Sequence, residues 1–140
     1  MNKMKTSDSA GFIYADCGCK DLGPCDLNEA LKHFDDSPWQ SEVQEMEKLF
    51  DKQQTPCWPD LTFRIGKYHI AIMLKSSSEN FEVEVCMPPV KKTLGLFKVT
   101  KFFEFQNVEP SRAREYIKSF YTLTHIEQFE YYENEKNIYS

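Results

Sequence analysis

Leu61-Thr62-Phe63-Arg64-Ile65-Gly66-Lys67-Tyr68-His69-Ile70-Ala71-Ile72-Met73-Leu74 decides the fold class. Leu61, Phe63 and Ile65 alternate with Thr62 and Arg64, the period of a strand with one buried face. Gly66-Lys67 supplies a two-residue turn of the Gly-X type, and Tyr68, Ile70, Ile72 and Leu74 resume the alternation. This is an antiparallel hairpin. After the polar turn Ser76-Ser77-Ser78-Glu79, a third strand follows in which Phe81, Val83, Val85 and Met87 alternate with Glu82, Glu84 and Cys86. Pro88-Pro89 is expected to end it, with a loop over Val90 to Thr93. From Leu96 to Val108 the chain is rich in Phe and Val, but its parity slips between Val99 and Phe102-Phe103, so a long, bulged fourth strand is expected. If the second and third strands pair around the Ser-rich turn, His69 stands opposite Cys86 on the face away from the core.

Helical patterns flank this meander. Asp26 and Glu29 have capping-box spacing, and Leu27, Ala30, Leu31 and Phe34 share a stripe, which predicts a helix over about 27–35. Ser37-Pro38 interrupts it and suits the start of a second helix over about 38–54. The apolar stripe of that helix is Trp39, Val43, Met46, Leu49 and Phe50. Thr55-Pro56-Cys57-Trp58-Pro59-Asp60 breaks the helical period. Glu109-Pro110-Ser111 opens a third helix over about 110–121, with Ala113, Tyr116, Ile117, Phe120 and Tyr121 facing inward. From Thr124 onward, alternation and helical spacing both fit; a short strand is expected. The fold class expected is α+β: a four-stranded antiparallel meander over about 61–106, with the helices packed on one face.

The 140 residues suit a single domain, 1–140, with residues 1–20 expected to be poorly ordered. Eleven Phe and seven Tyr supply a core without disulfides or metal. The longest apolar run, Ile70 to Leu74, is far shorter than the roughly 20 residues of a membrane helix. Met1 to Gly11 lacks the apolar core of a secretory signal, so a cytoplasmic protein with reduced cysteines is expected. Residues 1–60 carry twelve acids and six bases, whereas 61–126 carry six and ten. The scattered bases make no nucleic-acid footprint.

Acids on the second helix, Glu42, Glu45 and Glu47, with Asp35 and Asp36 just before them, are candidates for a surface that steers a basic partner. Trp58, between prolines, is the foremost candidate hot spot, with Trp39, Phe102 and Tyr131-Tyr132 as further aromatics. Cys17, Cys19 and Cys25, with Cys57 or His33 as a fourth ligand, are an alternative zinc set serving a regulatory or adaptor module. His69 and Cys86 could pair as a thiolate–imidazole dyad, although no third orienting group accompanies them. His33 and His125 read as structural or solvated. Phosphate-loop, dinucleotide, nucleophile-elbow and zincin motifs are absent from the sequence, so neither catalysis nor a cofactor is expected.

Glu79-Asn80-Phe81-Glu82-Val83-Glu84-Val85-Cys86-Met87-Pro88 resembles a strand ending in a Cys-x-Pro corner found in some immunity-protein families of bacterial polymorphic toxin systems. Phe129-Glu130-Tyr131-Tyr132-Glu133 is similar to the acidic-aromatic ending of those small proteins. The resemblance implies a bacterial cytoplasmic toxin inhibitor that binds and blocks a cognate toxin domain, with no catalytic residues of its own.

Overall fold

The computed structural model describes residues 5–76, 79–91 and 98–139. The chain runs β1 (Ser9–Ile13), β2 (Cys19–Asp21), α1 (Leu27–Asp36), α2 (Trp39–Asp51), β3 (Asp60–Ile65), β4 (Tyr68–Met73), β5 (Phe81–Lys91), β6 (Lys98–Val108), α3 (Pro110–Thr122) and α4 (His125–Tyr139). The α+β class and the antiparallel sheet agree with the sequence, but the sheet has six strands in the order β2-β1-β3-β4-β5-β6. The expected four-strand meander is its β3–β6 portion. The β1–β2 hairpin, drawn from the stretch expected to be poorly ordered, adds two strands by pairing β1 against β3.

Local chemistry explains the boundaries that sequence reading found. At α1, Asp26 Oδ1 accepts from Glu29 N at 2.8 Å and Glu29 Oε1 accepts from Asp26 N at 3.1 Å, a complete capping box. At the β3–β4 turn Gly66 takes φ 58°, a left-handed conformation that glycine adopts freely. Trp39, Val43 and Met46 of α2 are buried as expected; Phe50, assigned to the same stripe, is instead 72% exposed.

Two expectations need correction. Pro88-Pro89 does not end β5, which continues to Lys91; the register shifts between Met87 and Val90, and a bulge is where a strand tolerates proline. A second shift falls between Phe81 and Val83, where the opposing β6 carries the extra residue. Asn107 lies there at φ 56° and its Oδ1 accepts from Asn80 Nδ2 at 2.8 Å. This bulge brings Phe103, Phe105 and Val108 all to the core face. Ser77, Ser78 and positions 92–97, which include much of the expected loop and the expected start of the fourth strand, lie outside the described residues.

Second, the segment after Thr124 is a helix rather than a strand. Thr124 N donates to Glu127 Oε1 at 2.9 Å and Glu127 N donates to Thr124 Oγ1 at 3.4 Å, so Thr124-x-x-Glu127 is itself a capping box. Helical spacing then sets Phe129 and Tyr132 against Phe103 of β6, with ring centroids 5.9 and 5.8 Å apart. The core is one apolar cluster between the sheet and the four helices. Because the helices take that side, the other face of the sheet carries no helix among the described residues.

Candidate partner-binding face

Strand pairing places the residues of the helix-free face in rows, since paired residues share a face. One row runs Asp21, Gly11, Thr62, Ala71, Glu84, Glu104 across all six strands. On one side of it lies the row Cys19, Ile13, Asp60, Met73, Glu82. On the other side lies Ser9, Arg64, His69, Cys86, Phe102. Glu84 and Glu104 are therefore direct cross-strand partners of the same charge, with Glu82 next to them on β5.

The electrostatics follow from this arrangement. The Glu84 pKa is raised by burial and by Glu104 and Glu82; Lys75 opposes the shift and Asp60 adds to it. Asp60 is also raised by burial, against the hydrogen bond it accepts from Thr62 Oγ1 at 2.7 Å. His69 is lowered by burial and by Arg64, so its neutral form is favoured. Met73 and Ala71 are 8% and 6% exposed, a tightly covered floor between the charged residues.

An acid whose folded pKa lies above its unfolded value costs stability at neutral pH, and the cost is relieved as pH falls through the folded pKa towards the ordinary glutamate range. Glu84→Gln should therefore stabilise the protein at neutral pH by on the order of 0.5 kcal/mol. Denaturation midpoints of wild type and E84Q should converge on acidification; a gap that widened instead would contradict the repulsive pairing.

Trp58 stands at the margin of this face, 48% exposed. Lys75 Nζ lies 4.2 Å from its ring centroid and 2.7 Å from Glu82 Oε2, so the indole is linked through one ammonium to the carboxylate group. The loop that presents Trp58 is pinned twice to the β1–β2 turn. Cys57 N donates to Ala15 O at 2.9 Å, and Cys57 is disulfide-bonded to Cys17 in the β1–β2 turn. Cys17 has φ 70° there.

That bond corrects the expectation of reduced thiols at Cys17 and Cys57, and it dismantles the zinc set. Cys25 is buried, its Sγ 3.6 Å from Gly23 O, while Cys19 is exposed on the sheet. Among the described residues no group of three or more His, Cys, Asp and Glu side chains could hold a metal ion. Burial raises the Cys25 pKa, with Glu29 and Asp26 adding to the shift, which keeps that thiol protonated.

The acids singled out in the sequence are distributed over the helix side. Glu42 Oε2 accepts from Ala15 N at 3.2 Å, which ties α2 to the β1–β2 turn and brings Glu42 to the same end of the sheet as Trp58. Asp35 is ion-paired with Arg114, and Asp36 is exposed beside it at the end of α1. Glu45 and Glu47 are exposed on α2. Trp39 has a core role, its Nε1 donating to Phe34 O at 2.8 Å. The register expected for His69 and Cys86 is the observed one, yet no hydrogen bond joins them among the described residues.

Glu82, Glu84 and Glu104 were passed over in the sequence because acids alternating with apolar residues read as an ordinary solvated strand face. The alternation of Glu82 and Glu84 did show that these two share a face with Cys86, and through it with His69. No family model matches the chain, and no curated protein or solved structure matches it. No described helix is long and apolar enough to cross a membrane.

Proposed function

We propose that this chain is a non-enzymatic binding protein that docks a basic partner surface on the helix-free face of its sheet, and that the partner is a bacterial toxin domain which it neutralises. The observation that carries the reading is the Glu84–Glu104 pair with Glu82 beside it. Like charges directly opposite on adjacent strands destabilise the free protein. A lysine or arginine placed between them turns that repulsion into attraction, so the cost of the free state becomes a preference for cationic partners. Trp58 at the margin supplies the large aromatic surface typical of an interface hot spot. Asp35, Asp36, Glu42, Glu45 and Glu47 extend the negative field around the helix side and speed encounter rather than fix the contact.

The toxin assignment rests on the resemblance of residues 79–88 and 129–133 to immunity proteins. The first segment lies mostly on β5 and contributes Glu82 and Glu84 to the acidic group; the second lies within α4. A blocking protein needs only affinity and position, so the reading requires no catalytic group. Cytoplasmic action adds one requirement. Disulfides are rare and transient in a reducing cytosol, so the Cys17–Cys57 bond must withstand reduction there if the Trp58 loop is to stay pinned. Alkylation of thiols in intact cells reads this directly.

The test is parallel capture from native lysate with wild type, E84K/E104K and Trp58→Ala. Wild type should retain a basic partner whose activity it inhibits stoichiometrically and whose affinity falls with added salt. The double reversal should lose it, and Trp58→Ala should weaken binding by about 2 kcal/mol, some thirtyfold. Equal recovery by wild type and E84K/E104K would sink the proposal, as would a captured partner that is acidic.

A further inference from the structure

At the end of the sheet remote from Trp58, on the helix side, Lys5, Ile65, Tyr68, Phe120, His125 and Gln128 line a partly open cavity of about 250 Å³. Its polar groups are set by the fold. Gln128 is 2% exposed, and its Nε2 donates to Phe120 O at 2.7 Å, which fixes the amide orientation. Gln128 Oε1 is left buried with no hydrogen-bond partner among the described residues, and so is His125 Nε2. The His125 ring meets Tyr68 edge-on at 5.0 Å. Lys5 Nζ donates to Leu123 O at 2.5 Å, one bond among the described residues from an ammonium that has three protons to give. The Lys5 backbone N donates to Tyr121 O at 3.2 Å, which anchors this residue on α3.

A buried acceptor without a donor costs free energy, and native proteins rarely leave one unless something else supplies the partner. Here the missing partner must be a donor, because Gln128 Nε2 is committed elsewhere. A cation lines the same cavity, and burial lowers the Lys5 pKa against the raising effect of nearby Glu127. A ligand anion would oppose that desolvation. Ile65, Phe120 and the Tyr68 ring make the rest of the wall apolar.

We infer that this cavity binds a small organic carboxylate that also carries a hydrogen-bond donor, with its carboxylate at Lys5, its hydroxyl or N–H at Gln128 Oε1 and its apolar part against Ile65, Phe120 and Tyr68. The volume suits a ligand of roughly ten non-hydrogen atoms, smaller than a drug-sized molecule. The site does not depend on the partner-docking face, and either assignment can fail without the other.

Phenyllactate, a hydroxy acid with an apolar ring, is the probe. Phenylpropionate, which lacks the hydroxyl, and phenyllactamide, which lacks the charge, are its controls. In two-dimensional NMR titrations of the whole chain, phenyllactate should shift the signals of Lys5, His125 and the Gln128 side chain saturably. Each control should bind at least about tenfold more weakly, the discrimination expected when one buried polar partner is withdrawn. Lys5→Met should lose about the same factor for phenyllactate while leaving the response to phenyllactamide in place. No saturable shift at about 10 mM probe, equal affinity for the three compounds, or unchanged phenyllactate affinity in a folded K5M protein would each overturn the assignment. The probe series on wild type decides the matter even where K5M fails to fold.

Discussion

Tyr132→Ala should lower the unfolding free energy by about 4 kcal/mol, a large part of the total of a typical domain. Tyr132 is fully buried, with ring centroids 5.8, 6.2 and 6.0 Å from Phe103, Phe105 and Tyr116. Its hydroxyl donates to Tyr116 O at 2.9 Å. Removing the ring opens a cavity where α3, α4 and β6 meet, and rigid neighbours collapse into it only in part. Tyr132→Phe separates the two contributions, since it keeps the ring and should cost only about 1 kcal/mol. Denaturant midpoints at constant slope measure both. A small loss in Y132A would mean that α4 does not dock as described.

The second large effect comes from the Cys17–Cys57 bond. It closes a loop with a sequence separation of 40 that holds β2, α1 and α2. Cross-linking a loop of that length restricts the unfolded chain, and C17S/C57S should lose about 2–4 kcal/mol relative to the oxidised protein. Because the loss acts chiefly through the unfolded state, circular dichroism of the double variant should keep the helix and sheet content of wild type. An unchanged midpoint would show that the bond does not form in the folded protein.

Physical reasons separate what the sequence disclosed from what it concealed. The β3–β4 hairpin was legible because strand alternation, a glycine turn and a resumed alternation agree. Residues 27–36 were legible because Asp26 and Glu29 cap a clean apolar stripe. β1 was concealed because only Ala10 and Phe12 mark its inward face, and the three residues of β2 are all exposed. α4 was concealed because its apolar residues point all round: Phe129 and Tyr132 pack inward, while Ile126 and Ile138 are 71% and 60% exposed. The capping box at Thr124 was the signal that could have settled it.

The candidate site was legible only in parts. Trp58 could be singled out from its prolines, and the strand register put His69 opposite Cys86. The Glu84–Glu104 pair could not be read with the same security, because it depends on the register of β5 against β6, and that strand pair contains two irregularities. The disulfide was concealed for a different reason: residues 17 and 57 come together only through β1 pairing with β3.

That same bond fixes what a protease can release. A single cut anywhere between residues 18 and 56 leaves both pieces joined through Cys17 and Cys57, so the nicked chain still migrates as one species on a non-reducing gel. Exposed Gln53, Gln54 and Thr55, just after α2, offer such a cutting site. Only after reduction should two fragments appear, and with them the chance for the β1–β2 hairpin to part from the rest of the sheet.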